Sequence, residues 1–126
     1  MILADTSIWV DHFRSGNSDL VGLLEDGQVI THPVVAGELA CGNLRARAQT
    51  LGWFRRLPQT AVASNHEIMA LIERHKLWGL GIGWIDAHLI ASALLSGVAI
   101  WTLDRRLAGC AAAARANLFS PSGLTN

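Results

Sequence analysis

The feature that most constrains the fold of this chain is an alternation of short apolar runs with stretches of helical spacing. Ile2-Leu3-Ala4 reads as a buried strand. Asp5, Thr6 or Ser7 can then cap a helix in which Ile8, Trp9, Val10 and Phe13 recur at helical spacing. Ser15-Gly16-Asn17-Ser18 breaks it, and Ser18 or Asp19 opens a second short helix carrying Leu20, Val21, Leu23 and Leu24. Gln28 to Thr31 reads as a second strand, and Pro33 suits the first turn of a third helix ending near Cys41-Gly42. The pattern predicts a fourth helix from an Asn43 cap through Leu57, stopped by Pro58, then a weak strand over Thr60 to Ala63.

Ser64 and Glu67 form a capping-box pattern before a helix with Ile68, Leu71, Ile72 and Leu77. A glycine-rich loop, Gly79-Leu80-Gly81-Ile82-Gly83, precedes a long apolar helix over Trp84 to Ser96, closed by Gly97. Val98 to Thr102 reads as a strand, Arg105 to Ala116 as a last helix and Leu118-Phe119 as an edge strand. Strands alternating with helices predict an α/β sandwich on a mainly parallel sheet. A length of 126 residues fits one domain, residues 1–126.

The bulk composition narrows the class. Half the chain is apolar, at 51%, against 16% charged, so it can bury a core and is not disordered. Lys plus Arg and Asp plus Glu both number 10, which argues against a uniformly basic nucleic-acid binder. If four carboxylates share one site, however, six acids face ten bases elsewhere, and a basic rim around an acidic hole suits a phosphodiester. All the bases but Lys76 are Arg, which forks onto phosphates and stacks on bases. Cys41 and Cys110 form no CxxC pair and read as core thiols of a cytoplasmic protein. The start, Met-Ile-Leu-Ala-Asp, lacks a signal-peptide pattern. The most apolar stretch, Gly79 to Trp101, carries Asp86, His88 and several Gly, so no membrane span is expected.

Four acids stand in unusual places. Asp5 follows directly on the first strand, and Asp104 follows Val98–Thr102 in the same strand-end position. Ligands in open α/β sheets sit at the carboxyl ends of strands. Glu38 interrupts the apolar run Val34 to Cys41, and Asp86 starts the most apolar helix. Each has an ordinary alternative: Asp5 as an N-cap, Glu38 on a solvent face, Asp86 in a first helical turn, Asp104 in a turn or cap. Together they need a cation, because like charges raise one another's pKa, and oxygen-only ligands select Mg²⁺ or Mn²⁺.

Asp5-Thr6-Ser7-Ile8-Trp9, Glu38-Leu39, Gly83 to Ala91 and Trp101 to Leu107 resemble the PIN domain, above all the VapC toxins of toxin–antitoxin pairs. The resemblance spans essentially the whole chain. It implies a PIN-like three-layer sandwich and a Mg²⁺- or Mn²⁺-dependent endoribonuclease, with one or two ions per site. The family's acidic positions fall on Asp5, Glu38, Asp86 and Asp104, and its supporting hydroxyls on Ser7 and Thr102. Hydrolysis by metal-activated water and products with 5′-phosphate ends are implied. So are a homodimer and a cognate VapB-like antitoxin whose tail fills an apolar groove, in a higher toxin–antitoxin assembly.

Arg14, Arg105 and Arg106, with Arg45 and Arg47, are candidates for tracking RNA phosphates. Trp53, Trp78 and Trp84 can stack on bases or pack in the core, and the five histidines read as surface or packing residues. A receiver domain would need an acidic neighbour for Asp5 and a late Lys. A haloacid-dehalogenase-type phosphatase would need an Asp where Ser7 stands. The remaining alternative is a catalytically silent PIN fold that binds RNA or protein.

Overall fold

The computed structural model describes residues 1–121. Its described elements, in chain order, are β1 (Ile2–Ala4), α1 (Thr6–Ser15), α2 (Ser18–Glu25), β2 (Val29–Ile30), α3 (Pro33–Ala40), α4 (Arg47–Phe54), α5 (Asn65–His75), α6 (Trp84–Ser96), β3 (Ala99–Trp101) and α7 (Arg105–Ala113). The sheet order is β2-β1-β3 and both pairings are parallel. This is the α/β architecture that the alternation predicts, a short parallel sheet flanked by helices.

The apolar strands lie in the main core. Leu3, Ala4 and Ile100 are fully buried among Ile8, Trp9, Leu20, Ile90 and Leu107. At about 25 cal/mol per Å² of apolar surface removed from water, such side chains dominate the favourable side of folding. Trp9 packs edge-on against Phe54 at 4.7 Å and Trp53 at 5.5 Å between ring centroids, so Trp53 belongs to the packing. A smaller cluster of Ala63, Ile68, Ala87 and Ala91 joins α5 to α6.

The sheet is wider than its three strands. Thr31 bridges in parallel to Gln59 beyond β2, and Ile100 to Leu118 beyond β3. The first bridge is what remains of the strand expected over Thr60–Ala63, where Thr60 N–H donates to the Thr31 carbonyl at 2.9 Å and pairing then stops. The second matches the edge strand expected at Leu118-Phe119.

Several boundaries follow local chemistry. Asn17 rather than Ser18 or Asp19 caps α2, its side chain accepting from Leu20 N–H. Ser64 and Glu67 make both capping-box bonds of α5. Gly97, left-handed at φ 65°, closes α6 and turns the chain back into β3. Leu77 falls beyond α5 but is buried, and the last helix stops at Ala113.

The fourth helix departs most from expectation. Asn43 does not cap it; α4 begins at Arg47, after Ala46 in a left-handed conformation at φ 47°. The Arg47 guanidinium instead holds the end of α3, donating to the Ala40 carbonyl at 2.5 Å and the Gly42 carbonyl at 3.2 Å. Thr50 Oγ1 donates to the Arg45 carbonyl at 3.1 Å. These bonds give residues 41–46 a turn of their own. Cys110 is buried as expected, whereas Cys41, in that turn, is exposed.

Candidate functional site

The register of the sheet builds the centre of the site. Ile2, Leu3 and Ala4 stand opposite Ala99, Ile100 and Trp101, so the next residues, Asp5 and Thr102, leave the sheet side by side. Asp5 N–H extends the ladder by donating to the Trp101 carbonyl at 3.0 Å. The Asp5 side chain is only 5% exposed. It caps α1 by accepting from Ile8 N–H at 3.2 Å. The same Oδ1 accepts from Ser7 Oγ at 2.5 Å, and Thr102 Oγ1 donates to Oδ2. Capping and burial therefore coincide: both Asp5 oxygens are fixed by donors from two elements.

The hydroxyls are fixed in turn. Ser7 Oγ accepts from Leu103 N–H and Thr102 Oγ1 from Asp104 N–H, each at 3.0 Å. Burial raises the Asp5 carboxyl above the usual carboxylate range, against the opposing hydrogen bonds from Ser7, Thr102 and Ile8. No Lys, Arg or His forms an ion pair with it among the described residues.

The other three acids each spend one oxygen on a protein donor. Glu38 Oε1, on α3, accepts from Thr6 Oγ1 at 2.6 Å, next to Asp5 in the chain. Asp86 Oδ2, in the first turn of α6, accepts from Gly83 N–H at 3.2 Å. Asp104 caps α7, its Oδ1 accepting from Arg106 N–H at 2.9 Å and Leu107 N–H at 3.4 Å. The second oxygen of each has no protein donor among the described residues. The Cys110 thiol links the last two, since burial and then the charges of Asp86 and Asp104 push it up.

Thr6 and Thr102 thus tie Glu38 and Asp104 to the Asp5 end of the sheet, and Asp86 shares with Asp104 its effect on Cys110, but the four are not drawn into one shell. Among the described residues, no group of three or more His, Cys, Asp or Glu stands in metal-holding geometry. Local caps turn Asp86 and Asp104 toward their own backbone, and Thr6 holds Glu38. The donor set nevertheless suits a hard divalent cation: oxygens only, a buried carboxylate without a counter-ion, and three further carboxylates with a free oxygen each.

Arg14, Arg105 and Arg106 are all exposed, the last two in the first turn of α7 directly after Asp104. Gly81 makes room for Arg106: at φ +83° its backbone lies so close that an added Cβ would stand 2.8 Å from Arg106 Cδ. Trp78 and Trp84 are exposed at 58% and 41%. The sequence reading missed Thr6 as the donor to Glu38. The only hint was its place in the hydroxyl run after Asp5. It also missed His32, which is buried and caps α3.

The profile of the PIN domain family matches residues 2–112. The chain belongs to the PIN domain family. Within it, the protein is similar to Ribonuclease VapC32 of Mycobacterium tuberculosis, from strain CDC 1551 / Oshkosh and from strain ATCC 25618 / H37Rv. Each is 43% identical over 113 residues, covering 88% of this chain and 91% of the relative.

Among solved structures, this PIN chain resembles the crystal structure of FitAcB from Neisseria gonorrhoeae, with TM-score 0.63 and 20% identity. That match covers 98% of this chain and 100% of that one. It also resembles FitAB bound to an IR36 DNA fragment, with TM-score 0.65, 18% identity and coverage of 100% and 99%. PAE2754 from Pyrobaculum aerophilum matches at TM-score 0.60 and 16% identity, over 86% and 78% of the two chains. These three likenesses concern the fold. Among the described residues no helix is long and apolar enough to cross a membrane.

Proposed function

We propose that this protein is a VapC-type ribonuclease toxin that hydrolyses RNA phosphodiester bonds at the carboxyl edge of its sheet. The observation that carries the reading is Asp5: a buried carboxylate, raised in pKa, held at both oxygens and paired with no Lys, Arg or His among the described residues. Burying such a charge is costly unless a cation joins it. The similarity to Ribonuclease VapC32 supports RNA as the substrate.

Asp5 and Asp86 would hold Mg²⁺ or Mn²⁺, with Glu38 and Asp104 completing the set directly or through water. When bound, the ion supplies charge neutralisation and Lewis acidity toward water and the phosphate oxygens. The protein's own residues do the positioning. Ser7 and Thr102 keep Asp5 in one rotamer, and Thr6 orients Glu38. Arg105 and Arg106, beside Asp104, bind the flanking phosphates of the RNA. By the same family reading the protein forms a homodimer in the cytoplasm and is neutralised by a cognate VapB-like antitoxin. The likeness to FitAB assemblies is consistent with such a partner.

The test uses the protein purified free of any antitoxin and incubated with RNA plus Mg²⁺, Mn²⁺ or EDTA. Discrete cleavage should need the metal and vanish in Asp5→Asn and Asp86→Asn. Metal-dependent cleavage that survives unchanged in both variants would show that the site is elsewhere.

A further inference from the structure

A cavity of about 460 Å³ opens beside Glu38, between α1 and the turn that follows α3. Thr6 and Glu38 line its inner end, Val10, Phe13 and Leu44 its apolar wall, and Arg14, Asn43 and Arg45 its rim. Its size is that of a pocket for one small organic group.

We propose that this cavity is a nucleotide subsite, which takes one unpaired RNA base next to the scissile phosphate and holds that nucleotide's phosphate between Arg14 and Arg45. The inference rests on the ribonuclease reading and deepens it.

Three observations select a nucleotide as the occupant. The first is charge. The guanidinium groups of Arg14 and Arg45 form no hydrogen bond or ion pair among the described residues, and of the described residues that line the cavity Glu38 alone is acidic. That arrangement favours an anion, and guanidinium forks match phosphate oxygens.

The second is the wall. Phe13 is 44% exposed, yet its ring is held by Trp9 and Phe54 at centroid distances of 6.2 and 6.4 Å. A fixed, uncovered ring beside a cation suits a flat base. The Asn43 amide has no partner among the described residues and both donates and accepts, as a base edge requires. A base can enter this recess only when unpaired.

The third is that the rim is built. Ala46 is held left-handed, Arg47 ties the turn to the end of α3, and Thr50 holds the Arg45 carbonyl. A sparsely populated backbone conformation persists only where its surroundings hold it, and such places cluster at ligand clamps.

The test measures binding and cleavage separately. A short, labelled, unpaired oligoribonucleotide is titrated by fluorescence anisotropy against Asp86→Asn protein in EDTA, alone and with Phe13→Ala, Arg45→Ala or Asn43→Ala added. Phe13→Ala and Arg45→Ala should each weaken binding about fivefold or more. Arg45→Ala should also flatten the slope of log affinity against log salt by about 0.7, the value for one single-strand phosphate contact.

In protein that keeps Asp86, with metal present, cleavage of a randomised RNA pool should lose its preference at one flanking position when Asn43→Ala is the sole substitution. Arg45 and Asn43 are exposed, so they carry the test even if Phe13→Ala unfolds.

Unchanged binding and preference in the Arg45 and Asn43 variants, with Asp5-dependent cleavage intact, overturns the subsite and leaves the ribonuclease reading standing. Unchanged RNA binding together with lost binding of a partner protein makes the cavity a protein groove and overturns it too. Absence of Asp5-dependent cleavage in the unmodified protein removes both readings.

Discussion

Acid should weaken this protein through His32. The imidazole is buried, with 1% exposure, at the N-cap of α3. Its Nδ1 accepts from Val34 N–H at 3.0 Å, which fixes the proton on Nε2, where it donates to the buried Ser92 Oγ at 3.0 Å. A second proton would have to go onto Nδ1, facing the Val34 N–H. Burial, and then the His88 ring 5.9 Å away, lower the pKa from 6.5 to about 4.

The neutral form is therefore the one the fold prefers. Above pH 6.5 the ring is neutral both folded and unfolded, and its contribution is fully present. As pH falls from 6.5 toward 4 the unfolded chain takes up a proton that the folded one refuses, and stability is lost. At 1.36 kcal/mol per pH unit, the loss is about 2 kcal/mol at pH 5 and about 3 kcal/mol at pH 4.

Asp5 has the opposite sign. Its raised pKa makes the ionised form costly at neutral pH, and acid relieves that cost. The unmodified protein alone would therefore mix the two. Urea unfolding of wild type and His32→Asn between pH 7.5 and 4.5 separates them. Asn keeps a good N-cap but cannot titrate. At pH 7.5 the variant should be weaker by about 1–3 kcal/mol, because Ser92 is left unpaired in the core. That gap should shrink by about 2 kcal/mol on going to pH 5. A gap constant with pH would refute the argument. Because α3 also carries Glu38, cleavage activity should fall with the same midpoint as its unfolding.

Three further outcomes follow from the site. Asp5→Asn removes a buried charge, so in EDTA its melting temperature should exceed that of wild type by scanning fluorimetry. A cation at tenfold excess over its dissociation constant should raise the wild type by about 1.4 kcal/mol, or about 5 °C for a domain of this size, and leave the variant unmoved. Equal metal-induced shifts in both would remove Asp5 from the ion's ligands. Thr102→Val deletes a donor that lowers the Asp5 pKa, so the acid limb of the cleavage pH profile should move to higher pH; an unmoved limb would separate Thr102 from that titration. Gly81→Ala places a Cβ at φ +83° and 2.8 Å from Arg106 Cδ; it should cost about 1–2 kcal/mol and slow cleavage by displacing Arg106. Unaltered stability and rate would show that the loop yields freely.

What the sequence revealed of this molecule divides by range. Asp5 and Thr102 were legible because a short apolar run, a cap residue and a helical period are local signals, and a parallel sheet brings strand ends together. Asp104 stood out for the same reason and Asp86 as a charge opening the most apolar helix, and the capping bonds that were their ordinary alternatives are present. The bond from Thr6 to Glu38, across 32 residues, was not legible, and Ser7 and Thr102, 95 residues apart in sequence, entered only through the family resemblance.

The same limit explains His32 and Asn43. A histidine before Pro33 carries no sign that its ring will meet Ser92, 60 residues on. Asn43 has the chemistry of an N-cap, but Arg47 and Thr50 impose a turn that moves the cap three residues on, to Ala46, and leaves the Asn43 side chain at the rim of a cavity. There a strong local preference gives way to tertiary bonds. Conflicts of that kind are expected where a fold gives up local consistency for function. The failed cap is therefore an argument in its own right that the turn between α3 and α4 belongs to the site.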